Sequence, residues 1–442
     1  MTDLMSIGAS GLRAYRDALG TTSDNIANAQ TAGYVRRTVR LAEAPGSGDM
    51  PLYRPSVSPG GVLVDGVQRS VDQWLVEDSR TSMGMAGRTS TRLQWLEASE
   101  TAMDDGPGGV GQTVTAMFNA ADTLAADPSS TASRLAFLES VSNAADAFRQ
   151  TAGRLQSVSD GIAASAQAGA SEVNANIGAL QRVNDALLRA RDGSTNQASL
   201  MDERDQLLDS LSGALPVSIT FNAQGAASVR LSGSGQVLLD GPTIAQVATS
   251  TSAGGVLSVT VDGTAISPAS GSLSGLIAAS TTVAGQRIDL DNLAADFAAD
   301  VNNAHQAGTD ANGNPGAALL TFGGTAASLT AVALAPSAVA AADATSDNGN
   351  MLAFASLRGP TGTEAGWSQL VAAHAQTVLS ARAEDSAAST RRDGSIAARS
   401  ELSGVDLDHE AAELVRFQQA YEGSARIIQV ARDTFQAILN AL

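Results

Sequence analysis

The 442-residue chain contains no cysteine, and this absence excludes disulfide scaffolds, thiolate metal sites and cysteine nucleophiles. Basic residues are also fewer than acidic ones: the chain has 27 basic and 45 acidic residues, which gives a formal net charge of −18. A nucleic-acid binder needs a basic face, and so does a protein that docks on anionic lipid. We therefore expect neither nucleic acid nor a membrane among the partners of this chain.

Long apolar runs, aromatic residues and histidines are scarce as well. No stretch reaches the roughly 18 uninterrupted apolar residues of a membrane span, and residues 1–30 lack the apolar run of a cleavable signal peptide. Aromatic residues make up 4% of the chain, and small residues dominate it, which favours closely packed helices over a deep ligand pocket. The three histidines, His305, His374 and His409, have no ligand-like spacing, and we expect the last two at surface or edge positions.

Helical periodicity marks residues 3–30. Apolar residues recur there every seven positions, and a second set follows three positions after each of them, which is the a/d pattern of a coiled coil. The two sets are Met5, Leu12, Leu19 and Ile26, followed by Gly8, Tyr15, Thr22 and Ala29. This seam is thin because glycine and threonine take part in it, so the predicted helix needs partners on more than one side.

The clearest heptad pattern lies at the other end of the chain, in a helix predicted to begin near Asp406. Its positions step by three and four residues through Leu414, Phe417, Tyr421, Ser424, Ile428, Ala431, Phe435, Ile438 and Leu442. Asp406 or Asp408 can cap the start of this helix, where negative charge is favourable. Terminal segments usually fray, so apolar seams at both ends indicate helices that become buried in an assembly.

Glycine and proline interrupt the segment after the first helix, so residues 31–82 are predicted to be irregular apart from a strand pair around residues 62–67. Residues 83–212 are predicted to be helical. Steps of three and four residues over positions 138–187 predict one long helix in this region.

The pattern changes to period two over residues 215–285, which predicts a small, mostly antiparallel sheet. Helix is predicted again for residues 286–307 and, after a loop-rich stretch, for residues 350–442. The sequence therefore predicts a mainly α protein with a small β insertion.

No arrangement of side chains in the sequence predicts catalysis, a cofactor or a metal. Residues 310–314 resemble the start of a calcium loop, but Thr321 stands where the loop needs a bidentate glutamate, so a turn is predicted. The acidic residues at 202–205 are expected on a solvated, ion-paired helix face that contributes little stability. Helix capping accounts for the acidic residues at 406–410 without a metal.

Two sets of motifs at the ends of the chain go beyond periodicity. The first is Ser10-Gly11-Leu12-Arg13-Ala14, Ser23-Asp24-Asn25-Ile26-Ala27-Asn28 and Thr31-Ala32-Gly33-Tyr34-Val35-Arg36-Arg37. The second is Gly404-Val405-Asp406-Leu407-Asp408-His409-Glu410-Ala411-Ala412, Leu414-Val415-Arg416-Phe417-Gln418-Gln419-Ala420-Tyr421, Ser424-Ala425-Arg426 and residues 435–439. Together they resemble the bacterial flagellar axial proteins, the rod, hook and hook-associated proteins. Residues 33–37, 416–421 and 200–208 resemble the hook-associated members in particular.

This resemblance implies a fold. Residues 1–35 and 400–442 are expected to pair as a coiled-coil-like inner-tube domain of terminal helices. Residues 36–214 and 286–399 are expected to form an elongated helical domain that carries the small β-rich region 215–285. Many hook-associated proteins carry a further outer domain, which is expected to be absent or reduced here because the chain is short between residues 322 and 352.

The resemblance also implies a role. It predicts a structural subunit without enzyme activity, exported through the flagellar type III apparatus, that forms a ring or short helical layer between hook and filament outside the cell. The implied partners are further copies of the chain, hook protein, hook-associated protein 3 and a cytosolic export chaperone. A rod or hook subunit is an alternative, and so is a secreted enzyme or adhesin carried on flagellar termini.

The residues expected to make assembly contacts lie on the two terminal helices. On the first helix they are Met5, Leu12, Tyr15, Leu19, Asn25, Ile26 and Asn28, although the two asparagines can also be explained as the end of the helix before a turn at Gly33. On the last helix, where the export chaperone is also expected to bind, they are Leu414, Phe417, Tyr421, Ile428, Phe435, Ile438 and Leu442. We expect the two helices to pair within the chain and then to pack against other copies.

Overall fold

The structure of the chain is a computed structural model that describes residues 2–44 and 60–441. Leu442, one of the predicted contact residues, lies outside this range. The helices are α1 (Thr2–Asn28), α2 (Gln73–Ala102), α3 (Val110–Ala126), α4 (Thr131–Leu187), α5 (Thr195–Ala214), α6 (Ser272–Gln306), α7 (Gly349–Ala353), α8 (Thr363–Ser403) and α9 (Leu407–Ala441). The fold is mainly helical, with small antiparallel sheets inserted, as the sequence predicts.

The strands form four small antiparallel sheets within the described part of the chain. They are β1 (Arg37–Glu43), β2 (Val62–Arg69), β3 (Val217–Phe221), β4 (Ala227–Leu231), β5 (Val237–Asp240), β6 (Thr243–Ile244), β7 (Val247–Thr251), β8 (Leu257–Val261), β9 (Thr264–Ile266), β10 (Leu320–Thr321) and β11 (Thr330–Ala331). Their orders are β1-β2, β3-β4-β5-β6, β7-β8-β9 and β10-β11. The strand predicted around residues 62–67 is therefore confirmed, but its partner β1 lies in a stretch that the sequence predicts to be irregular.

Two helices begin earlier than the periodicity predicts. Helix α2 begins at Gln73 rather than near residue 83, whereas α8 begins at Thr363, within the stretch predicted to be helical. Helix α6 begins at Ser272, in a stretch assigned to the sheet region by its sequence. The first turns of α6 are rich in small and β-branched residues, so the helical spacing of their apolar residues is hard to recognise in the sequence. In the structure, Leu273, Leu276 and Val283 are buried on one side of α6.

The described residues fall into two compact units. One contains Met1–Gly84, Val173–Gln246 and Ser389–Leu442, and the other contains Met85–Glu172 and Val247–Ala388. Helices α2, α4 and α8 contribute residues to both units. The β-rich stretch is shared as well, because β3–β6 belong to the first unit and β7–β9 to the second. The three-part division inferred from the sequence stays a prediction.

The second unit has a continuous apolar core. Two aromatic pairs lie within it, with ring centroids 5.3 Å apart for Phe148 and Phe297 and 5.6 Å apart for Phe137 and Phe354. All four rings are fully buried. Because an aromatic pair contributes beyond its buried area, these contacts bind α4 to α6 and to the segment after α7.

In the first unit, a close backbone contact positions α5 beside the β1–β2 sheet. The amide of Val67 donates to the carbonyl of Gly193 at 2.8 Å, just before α5 begins. A Cβ on Gly66 would lie 2.8 Å from the Gly193 Cα, so only glycine fits at this crossing. The Ser194 side chain then accepts from the Gln197 amide and caps α5.

Candidate functional site at the terminal helices

Helices α1 and α9 form an antiparallel pair. Three contacts follow one another along the pair. Gly8 lies against Ile428, Tyr15 lies against Phe417 with ring centroids 6.5 Å apart, and Asn25 lies against Glu410. Residue numbers therefore rise along α1 as they fall along α9. The predicted pairing of the terminal helices is confirmed.

Small residues bring the two helices close together. A Cβ on Gly8 would lie 2.6 Å from Cγ1 of Ile428, and one on Gly11 would lie 2.6 Å from Oγ of Ser424. Ala14 and Ala18 continue the buried stripe of α1. The contact face of α1 is thus made mainly of small side chains, and the predicted a/d pattern included Gly8 but not Gly11, Ala14 or Ala18.

The predicted contact residues differ in how much of them the pair covers. On α1, Met5, Leu12, Tyr15, Leu19 and Asn28 are half-buried, Asn25 is buried and Ile26 is exposed. On α9, Leu414, Phe417 and Ile428 are half-buried, and Tyr421, Phe435 and Ile438 are exposed. The pair therefore leaves large apolar side chains facing solvent, and their role in contacts between copies stays a prediction.

Further apolar side chains that the heptad pattern omits are exposed on the same helices. They are Leu4 on α1 and Val415, Ile427, Val430 and Leu439 on α9. On α9, every residue from 432 to 440 is exposed. The heptad pattern omits these positions because they fall outside its steps of three and four residues.

A polar node, formed by Asn25, Tyr34, Arg36, Arg37 and Glu410, joins the two helices at one end. Nδ2 of Asn25 donates to the Arg37 carbonyl at 2.8 Å and to Oε2 of Glu410 at 3.0 Å. Oδ1 of Asn25 accepts from the Arg37 amide at 3.0 Å and from the Tyr34 hydroxyl at 2.9 Å. Nε of Arg36 donates to Oε1 of Glu410 at 2.7 Å.

These bonds use both amide protons and both acceptor positions of Asn25, which is buried. Burial raises the pKa of Tyr34 to about 12, so its hydroxyl stays protonated and keeps donating to Asn25. The alternative explanation of the two asparagines, as the end of a helix before a turn, fits Asn28. Its side-chain amide donates to the Asp24 carbonyl, and its side-chain oxygen accepts from the Thr31 hydroxyl.

Asp202 and Asp205 on α5 are buried, so the prediction of a solvated face at residues 202–205 is wrong for these two carboxylates, whereas Glu203 is exposed. Asp202, Asp205 and Asp209 accept from arginines of β1, β2, α2 and α8, and the contacts form a continuous series of alternating charge. We call this series the arginine–aspartate ladder, and its members are Arg37, Asp202, Arg69, Asp205, Arg80, Asp209 and Arg399. The α5 carboxylates meet arginines distant in sequence, and no local pattern reveals these partners.

Each aspartate of the ladder accepts from at least two arginines. The Asp202 oxygens lie 2.6 Å from Nη2 of Arg37 and 2.8 Å from Nε of Arg69. Asp205 accepts from Nη2 of Arg69 at 2.7 Å and from Nη2 of Arg80 at 3.3 Å. Such shared, charge-assisted bonds offset the cost of burying the ions.

The two most buried carboxylates of the ladder respond differently to their surroundings. Burial raises the pKa of Asp202, even though Arg69 and Arg37 oppose this. Burial also disfavours the charged form of Asp205, but the guanidinium groups of Arg204, Arg69 and Arg80 outweigh it and hold its pKa below the ordinary value.

Asp209 extends the ladder to the helix that precedes α9. It accepts from Nε of Arg80 at 2.7 Å and from Nη1 of Arg399, near the end of α8, at 2.8 Å. At the other end of the ladder, Arg37 is also part of the polar node. The ladder therefore ties α5 to the two segments from which α1 and α9 extend.

Helix capping and turns account for the other acidic motifs. Oδ1 of Asp406 accepts from the amides of Asp408 and His409 at 2.9 and 3.3 Å, so Asp406 is the cap of α9. Asp310 accepts from the amides of Asn312 and Asn314 at 2.8 Å each, which confirms the predicted turn.

Two histidines are buried in the second unit. His374 was expected at the surface, but its Nε2 lies 3.0 Å from the Leu96 carbonyl and its Nδ1 lies 2.5 Å from Nε2 of Gln286, so that expectation is wrong. His305 accepts from the Ala340 amide at 2.9 Å. Burial lowers the pKa of both imidazoles. His409 is exposed, as expected.

The described residues offer neither a metal site nor a membrane span. Over residues 2–44 and 60–441, no group of three or more histidine and acidic side chains is arranged to hold a metal ion. Across the same residues, no helix combines the length and the hydropathy needed to cross a membrane.

Three family models match the chain. A model described as the flagellar hook-associated protein FlgK helical domain matches residues 96–320. The ends match models of the flagella basal body rod protein, at residues 5–34, and of the flagellar basal body rod FlgEFG protein C-terminal region, at residues 397–441. The end matches contain much of α1 and α9.

The chain is also similar to whole proteins and to a solved structure. Flagellar hook-associated protein 1 of Salmonella typhimurium is 24% identical over 73% of this chain and 60% of that protein. The protein of that name from Bacillus subtilis is 24% identical over 98% of this chain and 96% of that protein. The flagellar hook junction protein FlgK from Burkholderia pseudomallei, at 21% identity, covers 55% of this chain and 46% of that chain with a TM-score of 0.48. The chain thus spans about 60% of the length of the Salmonella relative.

Proposed function

The chain belongs to the flagellar hook-associated protein FlgK family, and from this membership we propose that it is a structural subunit of the bacterial flagellum at the junction between hook and filament. The observation that carries the proposal is the α1–α9 pair, which leaves large apolar side chains exposed in regions that match flagellar rod families. The proposed mechanism is assembly, and it includes no catalytic step.

Burial of the exposed apolar side chains would drive assembly. Phe435 and Ile438 are 48% and 47% exposed in the single chain, and Tyr421 is also exposed. Fully burying one large apolar side chain contributes about 1.5–3 kcal/mol. When many copies pack in a ring or short helical layer, these contributions add up at every interface and outweigh the cost of ordering the helices.

The proposed location is extracellular, on the flagellum, after export through the flagellar type III apparatus. Hook protein is the proposed partner on one side and hook-associated protein 3 on the other. Before export, a cytosolic chaperone would cover the apolar face of α9. A chain lacking residues 405–442 should therefore lose affinity for that chaperone, and undiminished affinity would remove this part of the proposal.

A deletion strain tests the role directly. We expect cells with intact hooks, no filaments, and filament protein shed into the medium. Intact filaments in that strain would refute the junction role.

Point variants test the proposed surface. Replacing Phe435 and Ile438 with serine should give a folded, exported protein that fails to restore filaments. Leu352→Ser is the matched control, because Leu352 is 56% exposed but lies far along the chain from the terminal helices. Full restoration of filaments by the double variant would exclude these two side chains from the assembly contacts.

A rod or hook subunit is a second candidate, because the models that match both ends of the chain are named after rod proteins. It makes a different prediction for the purified protein. A rod or hook subunit should polymerise into tubes of unlimited length, whereas a junction subunit should stop at a limited layer. Electron microscopy of the polymers separates the two.

A further inference from the structure

The side chains along the contact between α1 and α9 do little to fix the axial position of one helix relative to the other. Ile428 lies over Gly8, but Gly11 offers a similarly shallow site about one turn further along α1. Coiled coils with such uniform seams are commonly held in register by a buried polar residue. A comparable feature has to set the register here.

The polar node supplies that feature at one end of the pair. Glu410 is 1% exposed, and its two oxygens accept from different segments, Oε1 from Arg36 and Oε2 from Asn25. The backbone amide of Arg36 also donates to the carbonyl of Ser403, at the end of α8, at 2.9 Å. The first turn of α9 is therefore fixed to the last turn of α1 and to the segment that follows it.

A slip of α9 by one turn, about 5.4 Å, would change little along the small-residue seam. It would, however, separate the Glu410 carboxylate from both of its partners while leaving it near apolar surroundings. A buried charge without a partner is strongly unfavourable. The node thus discriminates between registers that the seam does not distinguish.

We propose that Glu410 is a positioning residue that sets the register of α9 along α1, and with it the alignment of the exposed apolar side chains on the two helices. The register itself is a property of the single chain. Only its consequence for assembly rests on the proposed function.

The register can be measured by spin-label distances in the full chain, which has no native cysteine. Ser23 on α1 and Gln429 on α9 are exposed and lie at different levels of the pair, so both can be changed to cysteine and labelled. A slip along the axis then changes the distance between the labels by nearly the length of the slip. We expect one narrow distance peak when Glu410 is intact.

Glu410→Ala should add a second peak displaced by about 5 Å, one helical turn, or broaden the distribution, with unchanged helix content by circular dichroism. Glu422→Ala, which removes an exposed carboxylate from the same helix, should leave the narrow peak in place. Glu410→Gln keeps an oxygen that can accept from Asn25 and should restore the narrow peak. A purely structural role would not give a displaced peak and rescue by the conservative variant.

An unchanged narrow peak in Glu410→Ala would overturn the proposal. If that variant fails to fold, Asn25→Ser gives the same test, because it removes the amide donor but leaves the ion pair of Glu410 with Arg36. A narrow peak at the original distance in Asn25→Ser would then overturn it. Displacement of the peak in Glu410→Gln, as in Glu410→Ala, would also overturn the proposal, because the hydrogen bond from Asn25 would then not hold the register. Because none of these outcomes involves the flagellum, they are independent of the proposed function.

Discussion

Asp202→Ala tests the arginine–aspartate ladder at a member whose loss leaves a buried arginine without a carboxylate partner. Arg37 lies 2.6 Å from Asp202, and Asp202 is its one carboxylate partner among the described residues. Its Nε has no hydrogen-bond partner in that part of the chain even in the intact ladder. After the substitution, the Arg37 guanidinium would keep mainly its place over the Tyr34 ring, 4.7 Å from the ring centroid.

Breaking a buried ion pair from one side typically costs about 3–5 kcal/mol. Asp202→Ala should lie in the upper half of this range, near 4 kcal/mol, because Arg37 is left without compensation. Asp205→Ala should cost a similar amount, about 3–5 kcal/mol, because Arg204 then loses its carboxylate partner, although Arg69 keeps Asp202 and Arg80 keeps Asp209. Both costs follow from what each arginine retains and not from the number of bonds removed.

Hydrogen exchange read by mass spectrometry measures the cost for each segment separately. A loss of about 4 kcal/mol corresponds to roughly a thousandfold faster exchange in peptides from β1, β2 and α5. Asp240→Ala is the control, because its pair with Arg230 is about half exposed and such pairs contribute at most about 1 kcal/mol.

Adding Arg37→Met to Asp202→Ala should recover part of the lost stability, since an apolar replacement removes the isolated charge. Exchange that accelerates less than about tenfold in Asp202→Ala, or equal costs for Asp202→Ala and Asp240→Ala, would refute this reasoning. In that case water would be solvating the arginines of the ladder.

Three further outcomes are expected. Gly20→Ala, with open space around it, should stabilise α1 by about 0.5–1 kcal/mol, whereas Gly8→Ala, at the seam, should destabilise the pair by about 1–3 kcal/mol; urea unfolding that shows the same sign for both would contradict the close packing. Because burial lowers the pKa of His305 and His374 below the ordinary value of 6.5, the unfolded chain takes up protons first as pH falls, so stability is complete above pH 6.5 and decreases below it. Each histidine adds a slope of up to about 1.4 kcal/mol per pH unit, which urea unfolding at pH 5–8 measures and which His305→Gln should reduce. An ultraviolet titration should show a phenol with a pKa near 12 that Tyr34→Phe removes, and a phenol that ionises near pH 10 instead would contradict the buried node.

The helices that the sequence pattern predicts best are those in which the apolar spacing continues over many turns. The long helix α4 ends at Leu187, as its heptad steps predict, and Asp406 caps α9 as its position before an acidic first turn predicts. Terminal pairing also follows from the sequence, because both ends carry seams and neither could be buried alone. The helix bounds and the cap depend on neighbours that are close in the sequence, and the pairing follows from the apolar seam that each end carries.

The arginine–aspartate ladder could not be predicted in this way. On α5, Asp202 and Asp205 look like any charged helix face, and their burial depends on arginines more than a hundred residues distant along the chain. The seam of α1 was predicted only in part. The predicted pattern included Gly8 but not Gly11, although the close contact between α1 and α9 needs both glycines.

The chain contains no lysine, so all of its 27 basic residues are arginines. In the ladder, Arg69 and Arg80 each reach two different carboxylates through two different nitrogens, Nε and Nη2. A lysine carries its charge on a single nitrogen and cannot span two carboxylates with a rigid fork. A charge-conserving Arg69→Lys exchange would therefore cut the series in two, which makes the geometry of the guanidinium, and not the count of positive charges, the property on which this region depends.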